Sequence, residues 1–240
     1  MPRFFIDYVP TECVDITGED GHHIARSLRM QSGENVTLCD SMGMDYACVI
    51  ERVEDDTVTV RVLHSCKTVA EPSAKVTMYQ GLPKADKMDS IVQKEVELGA
   101  VRIVPVMMAR CVSKPDEKAA AKKTVRWQKI ASEAAKQSGR GIIPQVAELM
   151  SYRSAVKEAA KSGEIILFYE GGGQNIAELV HKETGNLAVF IGPEGGFEQS
   201  EVNLALQSGG KVGTLGPRIL RTETAPIAAL AAIMLSTGNM

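Results

Sequence analysis

The chain has 240 residues, 44% of them hydrophobic and 24% charged, with a formal net charge of −3. That composition is ordinary for a folded globular protein and gives ample core for two modest domains or one large one. No apolar run approaches the roughly 18–20 residues of a membrane helix, and the five scattered cysteines form no C-x-x-C pair, so a helical membrane span, a disulfide framework and a structural zinc site are all excluded.

Residues 1–72 read as a small β-rich domain. Short runs rich in β-branched residues at 3–9, 35–40, 45–53 and 57–64 are separated by Gly or Asp turns. Thr57-Val58-Thr59-Val60-Arg61-Val62 alternates as a half-buried strand does. Between the first two runs, residues 19–30 carry Ile24, Arg26, Leu28 and Arg29 at helical spacing, which predicts one short helix interrupting a small barrel. Val69-Ala70-Glu71-Pro72-Ser73 reads as a linker. Met1-Pro2-Arg3-Phe4-Phe5 has no apolar signal segment, so a cytoplasmic location is expected.

From residue 73 to 240 the rhythm changes to strand-helix alternation. Apolar strands are predicted at 75–82, 101–107, 164–169, 187–191 and 211–215. Helices are predicted at 84–98, stopped by Gly99, at 118–138, ended by Gly139, and at 175–182, 199–207 and 224–235. Residues 150–165 carry no recognisable pattern. Strands this apolar belong in a mostly parallel sheet covered by helices, an α/β fold that binds ligands beyond the C-terminal ends of its strands.

Two glycine-proline turns fall at such strand ends: Ile191-Gly192-Pro193-Glu194-Gly195-Gly196-Phe197, and Leu215-Gly216-Pro217-Arg218-Ile219-Leu220-Arg221-Thr222-Glu223-Thr224-Ala225. Glycine permits close backbone approach and proline stiffens the turn, so two such turns on neighbouring strands would build a pocket from main chain. Known nucleotide motifs are absent: there is no G-x-x-x-x-G-K-[ST] and no G-x-G-x-x-G. The adjacent His22-His23 and the isolated His64 and His181 make no ligand set, so no metal is expected. Charge is uneven. Residues 75–140 hold 14 Lys and Arg against 7 Asp and Glu, the footprint of a local phosphate-binding surface or of a solvated helical face.

The two turns resemble the signature motifs of the ribosomal RNA small-subunit methyltransferase E (RsmE) family, in the SPOUT, or trefoil-knot, superfamily. Lys84, Lys87-Met88, Gln93-Lys94, Glu97-Leu98-Gly99, Arg110-Cys111, Trp127-Gln128-Lys129-Ile130 and Gln137-Ser138-Gly139-Arg140 match the family in order and approximate spacing. Arg3-Phe4-Phe5 and the stretch from His22 to Met30 are similar to its PUA-like domain.

The resemblance implies a PUA-like RNA-binding barrel at 1–72 and a knotted, homodimeric methyltransferase domain at 73–240. It implies methyl transfer from S-adenosylmethionine to N3 of a uridine in 16S rRNA near the decoding centre. The cofactor would lie on Ile191, Gly192, Pro193, Glu194, Gly195, Gly196, Leu215, Gly216, Arg218, Ile219, Leu220 and Thr222, with Glu170 near its ribose or sulfonium. Uridine N3 keeps its proton at neutral pH, so a general base, worth roughly 10²–10⁴-fold, or stabilisation of the uridinate is required. Arginine stays protonated and suits the second role. Arg221 or Arg140 is expected there, with Glu194 as the carboxylate base. Arg26 and Arg29, Lys84 and Lys87, and Arg140 are expected to contact RNA. Two alternatives remain open: a SPOUT enzyme acting on another RNA nucleotide, and a non-catalytic RNA-binding assembly factor.

Overall fold

In the computed structural model, which describes residues 1–240, the alternating run at 57–62 becomes one arm of a long antiparallel hairpin. It belongs to the first of two units, comprising Met1–Glu71 and Ala135–Ile143; the second comprises Pro72–Ala134 and Pro144–Met240. The short excursion at 135–143 has no counterpart in the sequence expectation.

The first unit is a curled five-stranded sheet. Its strands are β1 (Arg3–Phe5), β2 (Cys13–Ile16), β3 (Asn35–Cys39), β4 (Met44–Glu54) and β5 (Thr57–Lys67), in the order β1-β3-β4-β5-β2. Strands β1 and β2 remain edges, so strand pairing does not close the expected barrel. Alternation places Val36, Leu38, Cys48, Ile50, Val58 and Val60 in one apolar cluster with Phe4 and Ile24. The single helix expected at 19–30 is instead α1 (Gly18–His22) followed by one wide π-type turn, His23–Ser27, in which Leu28 N–H reaches the His23 carbonyl at 2.9 Å.

The second unit contains β6 (Lys75–Gly81), α2 (Lys87–Glu97), β7 (Arg102–Met107), α3 (Glu117–Gln137, whose last turn counts with the first unit), β8 (Gln145–Val146), β9 (Met150–Ser151), α4 (Tyr152–Ser162), β10 (Glu164–Phe168), β11 (Gln174–Asn175), α5 (Ile176–Leu179), β12 (Asn186–Ile191), α6 (Gln199–Gln207), β13 (Lys211–Thr214) and α7 (Ala225–Ser236). Its sheet is parallel throughout, in the order β11-β13-β10-β12-β6-β7-β8, with β9 also on β7. Ile165, Ile166, Leu167, Leu187, Val189 and Phe190 are all buried, as strands covered on both faces require. Helices α4 and α6 pack together on the sheet, and α7 packs with α2, α5 and β6. No helix is long and apolar enough to cross a membrane.

Three expectations are corrected. Residues 150–165 do hold an element, α4, whose first turn is capped by Ser151 Oγ accepting from Ser154 N–H at 3.3 Å. The helix expected at 175–182 is only the single turn α5. The two glycine-proline turns follow β12 and β13, which are not neighbours: β10 lies between them.

Candidate functional site: a cavity at three strand ends

Because β10 separates β12 from β13, its C-terminal end, Tyr169 and Glu170, enters between the two turns. Together the three strand ends enclose a cavity of about 540 Å³, within the size range of small-molecule and cofactor sites. Every expected cofactor residue lines it: Glu170, residues 191–196, Leu215, Gly216, residues 218–220 and Thr222. Arg221 lines it too, as do Phe168, Tyr169, Phe197 and Thr214, which sequence reasoning did not select. The missed signal was strand order, since only pairing between β10 and its neighbours brings 168–169 to the turns.

Close packing of main chain shapes the cavity. A Cβ on Gly81, at the end of β6, would stand 2.6 Å from both the nitrogen and Cδ of Pro193. Gly196 has φ +67°, and a Cβ there would meet the Glu170 carboxylate at 2.2 Å. Thr222 Oγ1 donates to the Gly192 carbonyl at 2.9 Å and accepts from Gln80 Nε2 at 3.1 Å, so a buried amide on β6 ties the two turns together. The result is a glycine-lined cradle with main-chain polar groups, apolar walls at Ile191, Leu215 and Leu220, and one carboxylate, Glu170. That set fits a ligand with an aromatic base, hydroxyls and a positive centre.

Lys87, in the first turn of α2, makes a second tie. Its Nζ lies 3.1 Å from Glu194 of the first turn and 3.0 Å from Glu223 of the second. Glu223 and Glu194 hold the ammonium above its usual range. Burial alone would raise the Glu194 carboxyl, but N–H donation from its own backbone and from Lys84, together with Lys87, holds it below its usual value. Lys87 likewise holds Glu223 low. Glu194 does not cap the following helix: Glu198 and Glu201 form the capping box of α6, and Glu201 also accepts from Ala109 N–H at 2.9 Å.

The remaining expected residues are not among those that line the cavity. Arg140 is in the first unit, its side chain 2% exposed and paired with Glu71 at 2.7 Å. Arg26 is held by Asp56, Nε to Oδ1 at 3.2 Å. Arg29 is exposed on the same unit at φ +53°. Lys84 is exposed, with its backbone N–H on Glu194.

An RNA methyltransferase domain family matches residues 70–234, and an RNA methyltransferase PUA domain family matches residues 16–63. The chain is 38% identical over 255 residues to a Bacillus subtilis protein named ribosomal RNA small subunit methyltransferase E, covering 99% of this chain and 97% of that one. Among solved structures it is similar to a ribosomal RNA small subunit methyltransferase E from Neisseria gonorrhoeae bound to S-adenosyl methionine, with TM-score 0.89, 33% identity, and coverage of 98% and 97%. It is also similar to a Legionella pneumophila protein in complex with the bound cofactor SAM, with TM-score 0.86, 32% identity, and coverage of 97% and 96%.

Proposed function

We propose that this chain, which belongs to the ribosomal RNA small subunit methyltransferase E family, methylates N3 of a uridine in 16S rRNA using S-adenosylmethionine. The observation that carries this reading is the convergence of both glycine-proline turns and Glu170 on one cavity of about 540 Å³. S-adenosylmethionine supplies an electrophilic methyl group on a sulfonium. The chain's part is to hold that donor on residues 191–196 and 215–222, with Glu170 opposite its ribose or its charge.

At the acceptor, the N3 proton must leave before or as the new N–C bond forms. Glu194, expected as the base, is held ionised by Lys87 and two N–H donors, which makes it a weak proton acceptor. We assign it instead to holding the turns together. Arg221, exposed at the cavity wall, is the cation positioned to receive the developing charge on O2 or O4 while the proton passes to solvent. Arg140, closed in its pair with Glu71, takes no part in this step.

The same family reading includes a trefoil knot, a homodimer and a cytoplasmic location. The interleaved order β13-β10-β12-β6, in which β12 sits between two earlier strands, supports the knot. Helix α7 carries no charged residue, and Ile227, Ala231 and Leu235 repeat every fourth position on its outer side, with Leu235 66% exposed. An apolar helix face of this kind calls for a cover, and a second copy supplies one.

The test is mass mapping of 16S rRNA after incubation of small subunits with protein and isotope-labelled S-adenosylmethionine. A labelled N3-methyluridine supports the reading; label on another nucleotide selects a different SPOUT specificity. Absence of S-adenosylhomocysteine binding by calorimetry would leave only the assembly-factor alternative.

A further inference from the structure

Gln80 is fully buried on β6, one strand over from the first turn, and its backbone is paired with Ile191, the residue that leads into Gly192. Its Nε2 lies 2.9 Å from the Gly81 carbonyl and 3.1 Å from Thr222 Oγ1, and Thr222 Oγ1 lies 2.9 Å from the Gly192 carbonyl. A main-chain carbonyl can only accept, so both ends of this polar chain demand protons. The side-chain atom beside Gly81 is therefore the amide nitrogen. Its second proton goes to Thr222, and the hydroxyl proton is left for Gly192. Three protons meet three acceptors, in one sense only.

The amide oxygen is the exception. Gln80 Oε1 is buried and has no hydrogen-bond partner. Leaving an acceptor bare costs stability, and an apolar side chain of similar length would avoid that cost. Met78, two residues earlier on the same face of β6 and fully buried, is such a side chain. The glutamine at position 80 therefore works against its own burial, and what sets it apart from methionine is its two amide protons.

Those protons act at a distance of one bond from the site. Thr222 and Gly192 line the cavity, whereas Gln80 does not.

We propose that Gln80 is a positioning residue for the cofactor: by donating to Thr222 it commits the hydroxyl proton to the Gly192 carbonyl, so that these two oxygen atoms of the cavity wall accept hydrogen bonds and donate none. A ligand group facing this edge must then be a donor, an amine or a hydroxyl. The inference rests on the S-adenosylmethionine reading above.

The test uses Gln80→Met, Gln80→Glu, Thr222→Val and Thr222→Ser. S-adenosylhomocysteine affinity is measured by calorimetry between pH 6 and 9, and urea unfolding is measured on the same preparations. Each affinity is read as a ratio to wild type at the same pH, which removes titrations common to both proteins, those of Lys87, Glu194 and Glu223 included. Gln80→Met and Thr222→Val each break the chain and are expected to weaken binding by about tenfold at every pH. The double variant should lose no more than either alone, because one chain is broken only once. Thr222→Ser, which keeps the hydroxyl, should recover most of what Thr222→Val loses. Gln80→Glu is the sharper probe. Its neutral carboxyl keeps one proton to donate, whereas its carboxylate keeps none and draws the Thr222 proton away from Gly192. Burial places that titration above the usual carboxylate range, so binding by Gln80→Glu should weaken about tenfold between pH 6 and 9.

The proposal is overturned by Gln80→Met binding as wild type does, by additive losses in the double variant, or by a Gln80→Glu profile parallel to that of wild type. If urea shows Gln80→Met to be unfolded, the Thr222 pair and the Gln80→Glu profile decide. Wild-type protein that binds S-adenosylhomocysteine yet methylates no uridine overturns the functional reading and leaves these comparisons standing. Wild-type protein that binds none overturns both.

Discussion

Glu71 and Arg140, 69 residues apart in sequence, form a buried ion pair whose side chains are 10% and 2% exposed. The carboxylate accepts from Arg140 Nε at 3.1 Å and Nη2 at 2.7 Å, and also from the backbone N–H groups of Gly141 and Ile142 at 3.1 and 3.2 Å. This cluster holds the excursion at 135–143 within the first unit. It also explains why a Gln-Ser-Gly-Arg motif in a basic segment need not face a ligand: its arginine is closed over an internal acid.

Glu71→Ala should therefore destabilise the protein severely. Removing one partner of a buried pair costs about 3–5 kcal/mol, a large share of the roughly 5–15 kcal/mol that holds a domain folded. Urea unfolding of the variant should show that loss, while Glu71→Gln, which keeps one acceptor, should lose less. A variant as stable as wild type would mean that the pair holds nothing together.

Glu95 has the opposite problem. It is fully buried on α2, and neither carboxylate oxygen has a hydrogen-bond partner. Burial raises its pKa well above the usual value. A raised folded-state pKa means that the favourable contribution is complete below the ordinary Glu value of about 4.3 and is lost as pH rises toward the raised value. Over that window stability should fall by up to about 1.4 kcal/mol per pH unit relative to Glu95→Gln, which has no proton to lose. Thermal unfolding of the two proteins between pH 5 and 9 checks this; parallel curves would show that Glu95 is solvated.

The parts of this fold that were legible in the sequence are those fixed by local chemistry. Ile165-Ile166-Leu167 and Leu187-Ala188-Val189-Phe190 read as buried strands because their neighbours in sequence already exclude water-facing positions. The turns after β12 and β13 read as binding loops because Gly and Pro constrain the backbone wherever they stand. Helix α4 was legible as well, since Tyr152, Ala155, Val156 and Ala159 repeat at helical spacing and mark one apolar face, yet the reading passed over it. Charge partners were illegible. Lys87 meets an acid 107 residues away and Arg140 one 69 residues away, and only the tertiary fold decides whether a lysine faces solvent or a carboxylate.

Lys87 offers a direct check of that distinction. As a tie between Glu194 and Glu223 it keeps two carboxylates from repelling each other across the cavity mouth. Lys87→Met should weaken S-adenosylhomocysteine binding by about tenfold, with partial recovery in Lys87→Arg, which restores the charge but not the compact ammonium. The salt dependence of RNA binding should stay as in wild type. If instead the salt slope drops by about 0.7–0.9 and S-adenosylhomocysteine binding is untouched, Lys87 is a phosphate contact.

Arg221 separates binding from chemistry. It stands between Leu220 and Thr222 on the cavity wall, exposed, and close enough to Glu223 to lower that carboxyl's pKa. If its guanidinium stabilises the uridinate, Arg221→Ala removes an interaction that exists only as the N3 proton departs, and turnover should fall by about 10²–10³-fold. Cofactor affinity should change little, because the main-chain cradle stays intact. The loss should shrink as pH rises, since hydroxide then generates the anion without help, and single-turnover rates between pH 7 and 9.5 would reveal that recovery. A parallel fall in turnover and S-adenosylhomocysteine affinity, constant across pH, would reduce Arg221 to a wall of the pocket and leave the charge on the uracil ring to some other group.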